Sequence, residues 1–134
     1  MDISSFDDLL RAARAQREPQ RLLFVFTAVE LPEDSTAVQR ERFEAGEGGA
    51  LVPLMYADKR PDEIGSFADL VNESGQFGHE WGIVFAAALS GTGTLAPTSE
   101  DAEAPLQRMV EAIKRGEIAA FIPFDLQGQA VQIG

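Results

Sequence analysis

The sequence predicts one α/β domain over residues 1–134. It has three layers, with a mainly parallel four-stranded sheet in the order 2-1-3-4, helices on both faces and a C-terminal antiparallel hairpin strand. Three observations lead there. Helical stripes alternate with apolar runs along the chain, the pattern of repeated helix–strand units. The runs at 22–29 and 83–89 are apolar without alternation, as in strands covered on both faces. At 134 residues and 45 % hydrophobic content, the chain has the size and composition of one folded unit.

The first helix starts at Ser5, an N-cap with Asp8 three residues on, and carries the stripe Phe6, Leu9, Leu10, Ala13. Glu18-Pro19 ends it, since the residue before proline avoids the α region. Leu22 to Val29 is the first strand. Thr36 to Ala45 is a short helix with a weak stripe of Val38 and Phe43, stopped by Gly46-Glu47-Gly48-Gly49. Leu51 to Ala57 is the second strand. Pro61 opens a third helix with the stripe Ile64, Phe67, Ala68, Val71, and Gly75 stops it.

Gly82 to Leu89 is the third strand. Thr98 or Ser99 caps a fourth helix, whose stripe is Leu106, Met109, Val110 and Ile113, with Lys114 and Arg115 favouring its dipole. Gly116 closes it. Ala119 to Phe124 is the fourth strand, and Gln127-Gly128 turns the chain back to Val131 and Ile133. Pro53 and Pro123 cannot donate into a ladder, so both favour outer positions or bulges, and the second and fourth strands are expected on the outside. Strands one and three then take the middle.

Charge and composition exclude whole classes. The net charge is −11, and no window is basic enough to follow a phosphate backbone, so nucleic acid is not an expected partner. With no cysteine there can be no disulfide, thiolate metal site or thiol nucleophile. The longest wholly apolar stretch, Ile83 to Leu89, is far short of a membrane helix. The acidic start lacks the pattern of a signal peptide, so a soluble cytoplasmic protein is expected.

In an open parallel sheet the ligand crevice lies beyond the strand carboxyl ends, where strand order reverses. Glu30 and the loop Ser90-Gly91-Thr92-Gly93-Thr94 would flank it, with Asp58 and Asp125 ending the outer strands nearby. Alternating glycines expose backbone N–H groups and three hydroxyls add donors, so the loop is a candidate anion cradle, although it matches no phosphate fingerprint. Glu30, Asp58 and Asp125 could hold a hard cation only if they converged; no metal and no cofactor are expected. His79, the single histidine, precedes the third strand at the far end from the crevice, which argues against a catalytic base. Trp81 reads first as a cover over the sheet's lower rim; were it exposed, Trp81, Phe77 and His79 would form a candidate interaction rim.

Three segments carry a resemblance: Ile3 to Leu10, Phe43 to Leu51 and Ala104 to Ile113. They resemble a family of small bacterial proteins often labelled "ribonucleotide reductase subunit alpha", over nearly the whole chain. Ribonucleotide reduction needs a thiyl radical, and this chain has no cysteine to carry one, so no catalytic residue transfers. What the resemblance implies is at most an accessory role in nucleotide metabolism.

The functional expectation is a small acidic binding or protein-interaction domain without its own catalysis, whose partner is another protein or a second copy. The alternative is a ligand-binding or enzymatic domain using the crevice between Glu30 and Ser90.

Overall fold

The computed structural model describes residues 3–30, 35–45, 50–76 and 80–132. Helix α1 (Phe6–Arg14) leads into strand β1 (Gln20–Glu30), helix α2 (Ala37–Glu44) and strand β2 (Ala50–Lys59). A single 3-10 turn at Pro61–Glu63 precedes helix α3 (Phe67–Gly75). Strand β3 (Ile83–Ser90), helix α4 (Ser99–Lys114) and strand β4 (Ile122–Phe124) complete the order. The start signals act as expected at Ser5 and Thr98, each in a reciprocal capping box with the aspartate three residues on. Pro61 begins only the 3-10 turn, while Ser66 caps α3.

The sheet runs β2-β1-β3-β4, and every neighbouring pair is antiparallel. The expected mainly parallel sheet is therefore wrong, for two physical reasons. First, an unbroken apolar run reports that both faces of a strand are covered; it carries no information about the direction of its neighbour. Second, a parallel crossover must return the length of the strand, about 36 Å for the 11 residues of β1. The 8-residue α2 spans only about 12 Å. Each described side chain of α2 is solvent-exposed, Val38 to 59 %, so none of these packs against the sheet; the side chain of Phe43, the other residue of the expected stripe, lies outside the described ones. The chain simply turns back, and Glu30 pairs with Ala50.

Because β1 opposes both β2 and β3, those two run parallel to each other with β1 between them, joined through α3. Both prolines do lie in outer strands. Pro53 stands beside the β-bulge that shifts the β1–β2 register after Phe26, and Pro123 sits in β4.

Alternation along β1 divides the core in two. Leu22, Phe24 and Phe26 point to the face that α1, the Pro61 turn and α3 cover with Phe6, Leu9, Leu10, Ile64 and Leu70. Leu23 and Val25 point to the opposite face, where α4 places Ala102, Leu106, Met109 and Ile113. Phe6 is the hub of the first cluster. Its ring lies 5.8 Å from Phe24, 5.0 Å from Phe67 and 5.6 Å from Phe124, in tilted or edge-on contacts.

Trp81 is buried at 7 % exposure, as a cover and not as part of an interaction rim. Its indole N–H donates to Ser74 Oγ (2.8 Å) and its ring packs edge-on to Phe26. A polar partner inside the helix lets the ring sink below the sheet's end, so it offers no contact surface. Phe77 and His79 lie outside the described residues. As the chain's single tryptophan, Trp81 is a clean reporter: its emission is expected to be blue-shifted in the native protein and to move to the red on urea unfolding.

Candidate functional site: one end of the sheet and the open half of β3

The register decides which expected site residues meet. Gln20 pairs with Ser90, and Leu22 pairs with Lys59, so the start of β1 and the ends of β2 and β3 share one end of the sheet. Glu30 closes β1 at the other end, about 33 Å away along the strand. Asp125 follows Phe124, which pairs with Val84 near the start of β3, and so it also lies away from Ser90. Its carboxylate accepts from the backbone N–H groups of Gln127 (2.9 Å) and Gln129 (3.0 Å), capping the C-terminal turn. The crevice expected between Glu30 and Ser90 does not form, because reversing strand direction sends β1 and β3 to opposite ends. Among the described residues no group of three potential metal-ligating acids or histidines gathers.

Asp58 and Ser90 do share an end, but Asp58 is already occupied. Its Oδ2 accepts from Arg21 Nε (2.5 Å) and from Ser99 Oγ (2.6 Å), and Arg21 Nη2 donates to that same hydroxyl (2.6 Å). Arg21 lies on the α4 face by strand parity, and Ser99 opens α4, so the triad bolts that helix to the sheet. Burial pushes the Asp58 carboxyl up, but the hydrogen bonds from Ser99 and Arg21, with the charges of Arg21 and Lys59, hold it below the usual carboxylate range. A depressed folded pKa stabilises the fold above the unfolded value near 4 and loses that contribution as pH falls through the folded value. Asp58→Asn is therefore expected to flatten the acid limb of a stability-versus-pH curve, measured by urea melts between pH 2 and 6 as an order-of-magnitude window around that value.

The glycine-rich loop is a tight turn. Thr92 and Leu95 exchange both backbone hydrogen bonds, N···O 3.0 and 2.9 Å, with Gly93 (φ 60°) and Thr94 at the tip. Gly91 is there for space: a Cβ would stand 2.0 Å from the Leu95 carbonyl oxygen. Gly91→Ala is expected to cost about 2 kcal/mol through that overpacking, read as a lower urea midpoint at unchanged slope. The Ser90 hydroxyl accepts from Gln20 Nε2 (2.9 Å) rather than standing free.

Two features escaped sequence reasoning. The first is the outer edge of β3. β4 pairs only with Val84, Phe85 and Ala86, leaving the end of the strand bare on that side. Val131 N–H bonds Pro123 O, so Pro123 faces the hairpin while Ile122 and Phe124 face β3. Alternation then turns the N–H and C=O of Ala88 and Ser90 outward, beyond the last β4 partner.

An apolar groove lies on each side of this edge. One, of about 340 Å³, is lined by Ile3, Leu9, Ala12, Ala88, Ala120 and Ile122. The other, of about 550 Å³, is lined by Ala87, Pro105, Met109, Ala112 and Phe121. The readable signal was Ala86-Ala87-Ala88: three small side chains in a row cannot fill the space under the flanking helices.

The second feature is a cleft of about 580 Å³ at the same end, between the end of α1, the Pro61 turn and the tip of the Gly93 turn. Gly93 and Thr94 of the expected anion cradle do line it, together with Arg14, Arg17 and Arg60, whereas Ser90, Gly91 and Thr92 face a different hollow. Its signal was the three-residue spacing of Arg11, Arg14 and Arg17 in an otherwise acidic chain.

Fold and site together define a class: a small antiparallel α/β sheet domain with one incompletely paired edge. Comparisons with protein-family models, with curated proteins and with solved structures return no match. The resemblance to the family labelled as a reductase subunit thus has no support from them, and no residue role is taken from it. No helix among the described residues is long and apolar enough to cross a membrane.

Proposed function

We propose that this protein is a binding domain without its own catalysis, working in the cytoplasm, that captures an extended segment of another protein by strand addition to the open half of β3. One observation carries the reading: outward N–H and C=O groups at Ala88 and Ser90 sit between two apolar grooves. In strand addition the main chain supplies the hydrogen bonds, and alternate side chains of the incoming segment enter pockets on the two faces. Here one groove lies on each face. Charge favours a foreign segment over a second copy, since each chain carries −11 and two copies would repel.

Ala88→Pro tests it. The proline removes an N–H that no neighbouring strand uses, so the fold is expected to survive, while the ladder to an added strand loses a bond. Panning a random-peptide display library on the wild-type protein is expected to enrich segments with alternating apolar residues that fail to bind Ala88→Pro. Enriched peptides that bind both proteins equally, an unproductive selection, or a concentration-dependent homodimer abolished by Ala88→Pro would each reject the reading.

A further inference from the structure

The arginine-lined cleft is separate from the β3 edge and has its own chemistry. Arg14 Nη2 donates to two neutral acceptors, the carbonyls of Pro61 (3.3 Å) and Ile64 (3.4 Å), which fix its direction without neutralising it. Arg17 lines the same cleft and has no ion-pair or hydrogen-bond partner among the described residues. Arg60 also lines it but is engaged by Glu63 (3.2 Å) and Asp62 (3.6 Å). The acids at the cleft are Glu18 and Asp62. Asp62 is held toward Arg60, leaving two uncompensated guanidiniums against the Glu18 carboxylate.

Two arginines without ion-pair partners lining one cleft are unusual in a chain of net charge −11, where acids outnumber bases 22 to 11. Guanidinium groups present planar pairs of donors that match a phosphoryl group's oxygens. The Gly93 turn adds the tip N–H groups of Gly93 and Thr94, which the Thr92–Leu95 bonds leave out. Pro19, Pro61, Ala13 and Ala96 supply apolar wall beside the charged part. The volume, about 580 Å³, falls in the range of small-molecule sites.

We propose that this cleft binds a small phosphorylated molecule. Its phosphoryl group lies between Arg14 and Arg17 near the Gly93 turn, and its organic body rests on the proline walls. The ligand class follows from the donor set. A bare anion would leave the apolar wall unused, and a neutral body would leave the arginines unmatched.

The experiment is an amide and arginine side-chain NMR titration of the intact protein with glucose 6-phosphate and AMP, against glucose, adenosine and inorganic phosphate. Both phosphorylated probes are expected to move the Gly93 and Thr94 amides and the Arg17 Nε–H signal at lower concentration than inorganic phosphate, with glucose and adenosine inert. Arg17→Gln, which breaks no contact within the fold, is expected to weaken binding by about tenfold or more, the loss of one charge-assisted contact. Glu18→Gln is expected to strengthen it, and Ala88→Pro to leave it unchanged, which keeps this site distinct from the strand-addition reading. Perturbation by glucose or adenosine alone, no response to any phosphorylated probe, or equal affinities for wild type and Arg17→Gln would overturn the proposal. Inorganic phosphate binding as tightly as the organic phosphates would also overturn it, by removing the organic body from the site.

Discussion

Replacing Phe6 by alanine is expected to lower stability by about 4 kcal/mol, the range for emptying a buried phenylalanine site. The ring is 1 % exposed and touches β1, α3 and β4 through Phe24, Phe67 and Phe124. No single neighbour can collapse into the space without leaving the other two. The backbone at this position is also a tie, because Phe6 N–H donates to Gly128 O (2.8 Å) and Ala130 N–H donates to Ser4 O (2.9 Å). Truncating the ring loosens the short strand β4, which holds β3 over only three residue pairs. Urea unfolding measures the loss. Amide hydrogen exchange at Ile122 and Phe124 should rise more than exchange in the middle of β1. A cost below about 1.5 kcal/mol would mean that the aromatic cluster refills the cavity.

The second large effect is expected from Asp58→Ala. It strips Arg21, whose side chain is 11 % exposed, of its carboxylate and leaves the Ser99 hydroxyl without its acceptor. Removing one partner of a buried ion pair costs more than the pair itself contributes, because the remaining charge stays away from water. The pair keeps an open side, so the expected loss is about 2 to 3 kcal/mol, below the range for full burial. A double-mutant cycle with Arg21→Met checks the assignment: the double variant should recover part of the single variant's loss. Additive losses would show that the two side chains act independently.

Elements were readable in the chain where local chemistry decides them. The stripe Phe6, Leu9, Leu10, Ala13 behind Ser5 is a helix because spacing and cap agree, and Thr98 with Asp101 works the same way. Proline placed β2 and β4 on the outside through its missing donor. Strand direction was not readable, since helices on both faces of an antiparallel sheet demand the same uninterrupted apolar residues that a parallel sheet does. The telling feature was the weakness of the stripe in α2, a helix too short and too polar to cross a sheet. The site suffered from the same error. Ser90 and Glu30 come near one another only if β1 and β3 run the same way. Gly93 and Thr94 lie instead beside the cationic end of α1, because the antiparallel register sets Ser90 opposite Gln20, where the chain has just left that helix.

Glu30 and Ala50 face each other across the last rung of the β1–β2 ladder, so a two-residue hairpin turn could join them directly. Everything strung between them is surplus to closing the sheet. Among the described side chains of α2 none belongs to either core cluster, which frees that helix to answer to demands other than folding.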